Sequence, residues 1–507
     1  MFEQLNLWGR NFADEASHAA PAGSSSPTLS QEVTFLTGVA PNGALATPTF
    51  ATWWRDYPAT YHTDYSWAGK WGTQSGDTSV AGTGGGTVKY YFDPGVSWNS
   101  LDSTAQAAIK DCFAFWSAVA NIKFVQTTSA ASAQITIGGS TGVEGEGGSH
   151  GDGAEPVGTT AIQRYTSGIV NFTIGPSYGH LDQQYSFVFH ELGHVLGLGH
   201  SGPYNHVDNL AASEQFSAYD TQLWTVMSYF FPNDAAKYTP GNNVDWQHSD
   251  TPMIADIAAI QRLYGAPTST PLSGGQIFGF HSNITGSLAK FYDFTVNVDP
   301  VVTIWDGGTN NSLDLSGFSS ASKVNLNPGT FSSANGHIDN IAIAQGTRID
   351  IAIGGSGNDT FVCNKDGDKV KGGAGADHIT AGVGHDVFVY AAAKDSTGSH
   401  YDTISGVDFR GQDVFDLPFK VAGLHSEITS GALSKATFDS DLSAVMSASR
   451  LGVHHAVLFE PSSGNLKGDL FLVVDANGHA GYQAGQDLVF LLNNPLHVAN
   501  LNLVDFI

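Results

Sequence analysis

Apolar residues recur at helical spacing in three places, all before about residue 266. Ile109, Cys112, Phe113, Trp116 and Val119 share one face of a helix over 103–120, which Asp102 or Ser103 can cap. A second helix covers about 184–196. A third follows Thr251 as cap and Pro252 at its first position, carries Ile254, Ile257, Ile260 and Leu263 as its stripe, and stops at Gly265. Residues 88–93 read as a strand, Ile135 and Ile137 alternate in another, and 159–174 hold one or two more. Residues 142–153 are dense in glycine and acid and read as loop.

Beyond residue 266 helical periodicity nearly vanishes. Short β-branched runs alternate with Gly, Asn, Asp and Ser. The stretch 266–273 reads as a linker, so the chain divides into 1–30, 31–266 and 267–507. Residues 1–30 close on Ala-Pro-Ala-Gly-Ser-Ser-Ser-Pro, either a frayed tail or a removable pro-segment. Residues 420–500 read as further β structure around Asp475-Ala-Asn-Gly. The expected fold class is α+β: a mixed first part and an all-β second part.

Composition narrows the functions. Lys and Arg number 21 against 47 Asp and Glu in 507 residues, a net charge of −26. Nucleic acid and anionic membranes need clustered basic residues, so both are poor partners, and cations are favoured. Two cysteines, Cys112 and Cys363, cannot make a disulfide framework and read as free buried thiols. No apolar run is long enough to span a membrane, and the N-terminus lacks the basic and apolar regions of a Sec signal.

Residues 190–200 read His-Glu-Leu-Gly-His-Val-Leu-Gly-Leu-Gly-His. His190 and His194 are four apart and share a helix face, where they can grip one ion. Glu191 is placed to touch a water on that ion. His200 would lie roughly 9 Å further along a continuing helix, too far for a shell with bonds of about 2.0–2.1 Å. The helix must therefore break, and Gly197 stands where it can. Three imidazoles and an open position define a catalytic zinc site. This extended pattern arises by chance roughly 3 × 10⁻⁴ times in such a chain, so it is read as a site. Downstream comes Thr-Val-Met-Ser-Tyr, with Met227 as the apolar floor under the imidazoles and Tyr229 beside the metal. The other histidines singled out, His62, His150, His180, His206 and His248, show no ligand spacing.

From residue 354 the chain repeats every nine residues, in blocks opening at Gly354, Cys363, Gly372 and Ala381. Asp359, Asp368, Asp377 and Asp386 are in register, as are Phe361, Val370, Ile379 and Phe388; Asp350 lies one period upstream. Glycines make a tight turn that exposes carbonyls, and Asp adds a carboxylate, the hard oxygens that Ca²⁺ takes. The apolar position points inward from a short strand. Stacked turns then form a parallel β-roll with calcium between them. The second block lacks its glycines, which weakens its site.

Both patterns together resemble the serralysin family, secreted bacterial zinc metalloproteases of the metzincin group with a calcium-binding RTX roll. Residues 252–266, Trp305-Asp306-Gly307 and Leu313-Asp314-Leu315-Ser316-Gly317 are similar to family segments, as are Asp395-Ser396, Asp402-Thr403-Ile404 and Asp408-Phe409. The resemblance implies zinc on His190, His194 and His200, with Glu191 as general base. Tyr229 would ligate zinc at rest and then bind the oxyanion. It implies calcium at Asp306, Asp350, Gly355, Gly357, Asp359, Gly373, Gly375, Asp377, Gly382, Gly384, Asp386, Asp395 and Asp402. Asn311 departs from the family, which has Asp there. The ending Leu-Val-Asp-Phe-Ile is similar to an uncleaved type I secretion signal, which implies export to the extracellular space by type I secretion machinery. The implied activity is a zinc endopeptidase, a monomer made as a zymogen, acting on protein and peptide substrates and open to a proteinaceous inhibitor. A narrow enzyme cutting one host or self substrate is a second reading. A calcium-dependent surface or adhesion protein with a silent protease domain is a third.

Overall fold

The computed structural model describes residues 27–46, 68–72, 78–94, 101–139, 147–152, 162–172, 185–202, 204, 211–232, 248–410 and 413–507. The pro-segment reading falls largely on residues 1–26, outside that set, as do His62, His180 and His206.

Four helices frame the first part. α1 (Leu29–Thr37) opens on a capping box, in which Thr28 accepts from the Gln31 amide and Gln31 reaches back to the Thr28 amide. α2 (Ser103–Val119) is capped by Asp102, whose carboxylate accepts from the Ala105 N–H at 2.7 Å. α3 is Tyr185–Val195 and α4 is Ile254–Tyr264. α4 corrects two expectations: its N-cap is Met253, so Pro252 precedes the helix and is not its first residue, and its cap is not the one expected. Thr251 does not cap it; its hydroxyl accepts from the Thr303 N–H instead. Asp256, inside the first turn, reaches back to the Met253 N–H at 2.8 Å and does the capping.

A five-stranded sheet carries these helices. Its order is Ile122–Gln126, Gly86–Phe92, Ile135–Gly139, Ser167–Phe172 and Gly147–Asp152. The first four run parallel and the last antiparallel. That last strand lies inside the segment read as loop. Its glycines carry no alternating pattern, and only pairing with Ser167–Phe172 makes it a strand. α2 packs on α3 where Phe115 and Trp116 meet Phe189 edge-on, at 5.2 and 5.8 Å. α1 is held to α4 by Arg262, which donates to Ser30 O, Thr34 Oγ1 and Val39 O.

The second part is built on two parallel sheets. One contains Ile277–Gly279, Ser312–Asp314, Ile351–Ile353, Lys369–Lys371, Val387–Val389 and Val414–Asp416. The other contains Lys323–Asn325, Thr360–Val362, His378–Thr380, Asp402–Ser405 and Leu488–Asn493, then continues antiparallel through Leu470–Val474 and His455–Phe459. Ile351 pairs with Lys369 and Lys369 with Val387, while Thr360 pairs with His378. Each pairing advances 18 residues, so two nonapeptide blocks make one turn and alternate between the sheets. Phe361, Val370, Ile379 and Phe388 are fully buried, as their phase predicts.

Besides α1, two helices of the second part occur where none was expected. α5 (Ala289–Tyr292) inserts Phe291 against Phe115 and Phe189, and sets Tyr292 on Phe278. Its Lys290 pairs with Asp111 of α2. One apolar core thus runs from the five-stranded sheet into the roll. α6 (Phe438–Val445) covers the antiparallel end with Phe438, Leu442 and Val445. Both are too short for periodicity to announce them. Cys112 and Cys363 are free and buried, as expected.

Ile379 fills the centre of the stack with no exposure. Ile379→Ala is expected to lower stability by about 2–5 kcal/mol in calcium, measured by denaturant unfolding.

Candidate metal centre

α3 ends in a turn built from the backbone. The Leu198 N–H donates to Gly193 O at 2.9 Å, and the Gly197 N–H to His194 O at 3.0 Å. This is a Schellman motif with Gly197 left-handed at φ 99°. A Cβ at Gly197 would stand 2.0 Å from Gly69 O, so no other residue fits. Beyond the turn the chain doubles back and returns His200 to the helix.

The three Nε2 atoms then face one point. They lie 3.1 Å apart for His190 and His194, 3.2 Å for His194 and His200, and 3.3 Å for His190 and His200. Tetrahedral ligands at about 2.05 Å from one ion are about 3.3 Å apart, so the triangle fits zinc. Each Nδ1 lies against a backbone carbonyl: Val226 O at 2.8 Å, Leu198 O at 2.8 Å and Tyr204 O at 2.9 Å. Those carbonyls require the Nδ1–H tautomer, which leaves three Nε2 lone pairs converging with no proton between them. A cation resolves that repulsion.

The surrounding groups fall where the motif puts them. Glu191 is buried on α3 between the two helical histidines. Met227 is fully buried, and its sulfur lies 2.8 Å from where a Cβ on Gly193 would be. Tyr229 lies beside the imidazoles, its ring 4.5 Å from that of His200 and 6.0 Å from that of His190. His248, by contrast, is not among the clustered histidines and meets Phe231 edge-on, and burial lowers its pKa to about 4.

Several residues that hold the centre carry no motif. Asp256 accepts from Thr225 Oγ1 and from the Val226 N–H, and so pins the carbonyl that His190 uses. Burial pushes its carboxyl up to about 6 against these hydrogen bonds. Asp220, also fully buried, accepts from the hydroxyls of Ser201, Tyr204 and Ser228 and from the Phe216 N–H. Tyr204 stacks on Tyr229 at 4.9 Å, and its hydroxyl accepts from the Tyr229 N–H. Nothing in their spacing marks Asp220 or Tyr204. Gly193 could have been found as the small residue that lets Met227 approach.

The repeat aspartates form two columns. Along one edge Asp377 accepts from the Asp359 N–H and Asp402 from the Asp377 N–H, both at 2.8 Å. Along the other Asp386 accepts from the Asp368 N–H at 2.9 Å and Asp413 from the Asp386 N–H at 3.0 Å. Asp413 was not read from the sequence because its turn is longer than 18 residues. On the first edge Asp377 Oδ2 is buried and accepts no hydrogen bond from a described residue, and the Asp402 carboxylate is buried beside the Tyr390 hydroxyl. Burial raises the pKa of Asp377 to about 7 and that of Asp402 well above its usual value. Orphaned carboxylate oxygens of this kind fit a hard cation. Asp306 Oδ2 is likewise buried and unpartnered. Beside it, Asn311 donates its amide to Gly308 O and Arg348 O, meeting with protons carbonyls that a cation could otherwise take. Asp350 accepts from the amides of Asn310 and Asn311, and Asp395 from those of Ala391 and Ala392.

A His₃ centre over a buried methionine, joined to a parallel roll, defines a zinc metallopeptidase of the metzincin type. Residues 86–209 match the Matrixin family, and 269–429 match the family described as Peptidase M10 serralysin C terminal. The chain is 33% identical over 377 residues to a serralysin of Photorhabdus luminescens, which covers 69% of this chain and 74% of that one. It is 35% identical over 300 residues to a metallopeptidase AprA of Pseudomonas marginalis, covering 58% of this chain and 61% of the relative. Over 175 residues it is 39% identical to serralysin C of Dickeya chrysanthemi, about a third of each chain. The chain belongs to the serralysin family.

Two outcomes follow for the centre. Gly197→Ala should lose bound zinc, because strain at φ 99° and the Gly69 contact both displace His200; metal analysis of the purified variant checks it. Asp256 has a folded pKa raised from 3.8 to about 6, so the folded state binds its proton more tightly, and its contribution to stability falls as pH rises from about 4 through 6. Asp256→Asn should remove that fall, at most about 1.4 kcal/mol per pH unit, seen by comparing unfolding curves of the two proteins across this range.

Proposed function

We propose that the chain is a secreted zinc-dependent endopeptidase that cleaves proteins and peptides, stabilised by calcium in its roll. The carrying observation is the set of three Nε2 atoms within 3.1–3.3 Å of one another, each imidazole held by a carbonyl on its far nitrogen.

His190, His194 and His200 would hold zinc, which when bound acidifies water and polarises a carbonyl. Glu191 takes a proton from the attacking water as it adds to the scissile carbonyl. It returns that proton to the leaving amine. The Tyr229 hydroxyl donates to the oxyanion as charge develops, and its ring is held for this by Tyr204. Met227 and Gly193 keep the floor dry and close.

Calcium would lie along the edge lined by Asp359, Asp377 and Asp402, with the glycine carbonyls of that edge. Asp306, Asp350 and Asp395 and the glycines 355, 357, 373 and 375 are proposed as further contributors. The division at 266–273, the removable segment before residue 30, type I export through the C-terminal end and the monomeric state belong to the same reading. Among the described residues no helix is long and apolar enough to cross a membrane. The complete histidine, glutamate and tyrosine set disfavours a silent surface protein.

Casein hydrolysis with and without 1,10-phenanthroline, alongside metal analysis, is the test. Inhibitor-sensitive cleavage with about one zinc per chain is expected; zinc-free protein without cleavage would overturn the reading. Glu191→Ala should keep zinc and lose several orders of magnitude in turnover. Tyr229→Phe should lower kcat more than it changes KM, since its contact is made mainly in the transition state. Removing calcium from the full chain should diminish its β signal in far-UV circular dichroism, because buried carboxylates are left without a counter-charge.

A further inference from the structure

The second repeat block departs from the others at the point where the turn faces its carboxylate. Gly354 and Gly372 open the first and third blocks. A Cβ at Gly354 would stand 2.4 Å from Asp359 Oδ2, and one at Gly372 only 2.1 Å from Asp377 Oδ2. The opening position therefore aims straight into the space in front of the aspartate. Cys363 opens the second block, so its side chain enters the equivalent space before Asp368.

Its sulfur meets two carboxylates there. Cys363 Sγ and carboxylate oxygens of Asp368 and Asp386 lie within 4.8 Å of one another, and all three residues are buried. Cys363 is only 5% exposed and is free of any disulfide. The Gly382 N–H, which donates to Asp386 Oδ2, also faces the sulfur. Asn364 holds Asp368 by both its backbone and side-chain N–H groups. The two carboxylates come from successive turns, 18 residues apart, and the Asp368 N–H locks them in register on Asp386.

Calcium takes oxygen ligands and has little affinity for sulfur, whereas zinc and cadmium favour thiolate. We propose that Cys363, Asp368 and Asp386 form a mixed thiolate and carboxylate site for a thiophilic divalent cation of the zinc or cadmium class, on the edge of the roll opposite the Asp377 and Asp402 oxygens. Binding forms the metal–sulfur bond and breaks the S–H bond, releasing to solvent the thiol proton and any proton held by the two buried carboxyls. Two carboxylates and a thiolate carry three negative charges, which a divalent ion reduces to one. The site rests on the stacking of the roll and is independent of peptidase chemistry.

Cadmium titration of the full chain, in calcium, tests it. Thiolate-to-cadmium charge-transfer absorption should rise to saturation at one equivalent, with release of protons. The His₃ centre has no sulfur and is silent in this band. Cys363→Ser should abolish the band, Cys112→Ser should keep it, and Asp386→Asn should weaken cadmium binding at least tenfold. Circular dichroism in calcium confirms that each variant keeps its roll. Cys363→Gly, which restores the repeat, should exchange the cadmium site for an added calcium. Absence of the band, or its survival in Cys363→Ser, would overturn the proposal; so would equal calcium content in wild type and Cys363→Gly, since the cysteine would then not have changed the ion that this turn takes. Casein hydrolysis, measured in parallel, reports separately on the peptidase reading.

Discussion

At Gly197 the chain leaves α3 with a left-handed backbone, and a neighbouring carbonyl occupies the space a side chain would need. The two hydrogen bonds that close this turn also reverse the chain, and the reversal returns His200 to the face of the helix that carries His190 and His194. A helix alone can supply only two ligands to one ion. The third exists because a backbone conformation open to glycine is placed where the helix must stop.

Around that turn the site is held mostly by backbone carbonyls and two buried acids. Val226, Leu198 and Tyr204 each set one imidazole by its far nitrogen. Asp256 fixes the segment that carries Val226, and Asp220 ties the segments of Ser201, Tyr204 and Ser228 together. Burying a carboxylate is costly, and both have raised pKa values for that reason. Each offsets the cost with three or more hydrogen bonds, and the return is a set of loops with little freedom to drift.

The roll is not symmetric. Along one edge glycines leave room before the aspartates, and a buried Asp377 oxygen accepts no hydrogen bond from a described residue. Along the other, Cys363 and Ala381 replace the opening glycines. Hard-ion chemistry suits the first edge. The second carries side chains at those positions, one of them with sulfur. α5 joins this roll to the core of the first part through Phe291 and Lys290, so the two parts share apolar packing as well as a linker.

The sequence alone was enough to pick out the three histidines that converge, the glutamate between them and the inward phase of the repeat, because each depends on spacing within one helix or one nine-residue block. Spacing also demanded a break near Gly197. It could not show that Thr251 would be drawn away to Thr303 and Asp256 would cap α4 instead, since both choices depend on partners far along the chain. Nor could it show the glycine-rich strand Gly147–Asp152, which exists through pairing alone. Asp220, Tyr204 and Asp413 have no periodic signature; their roles arise when distant segments meet. Local pattern determined which residues bear the chemistry, and tertiary structure decided what holds them, because hydrogen-bond partners in a folded chain are chosen by proximity in space.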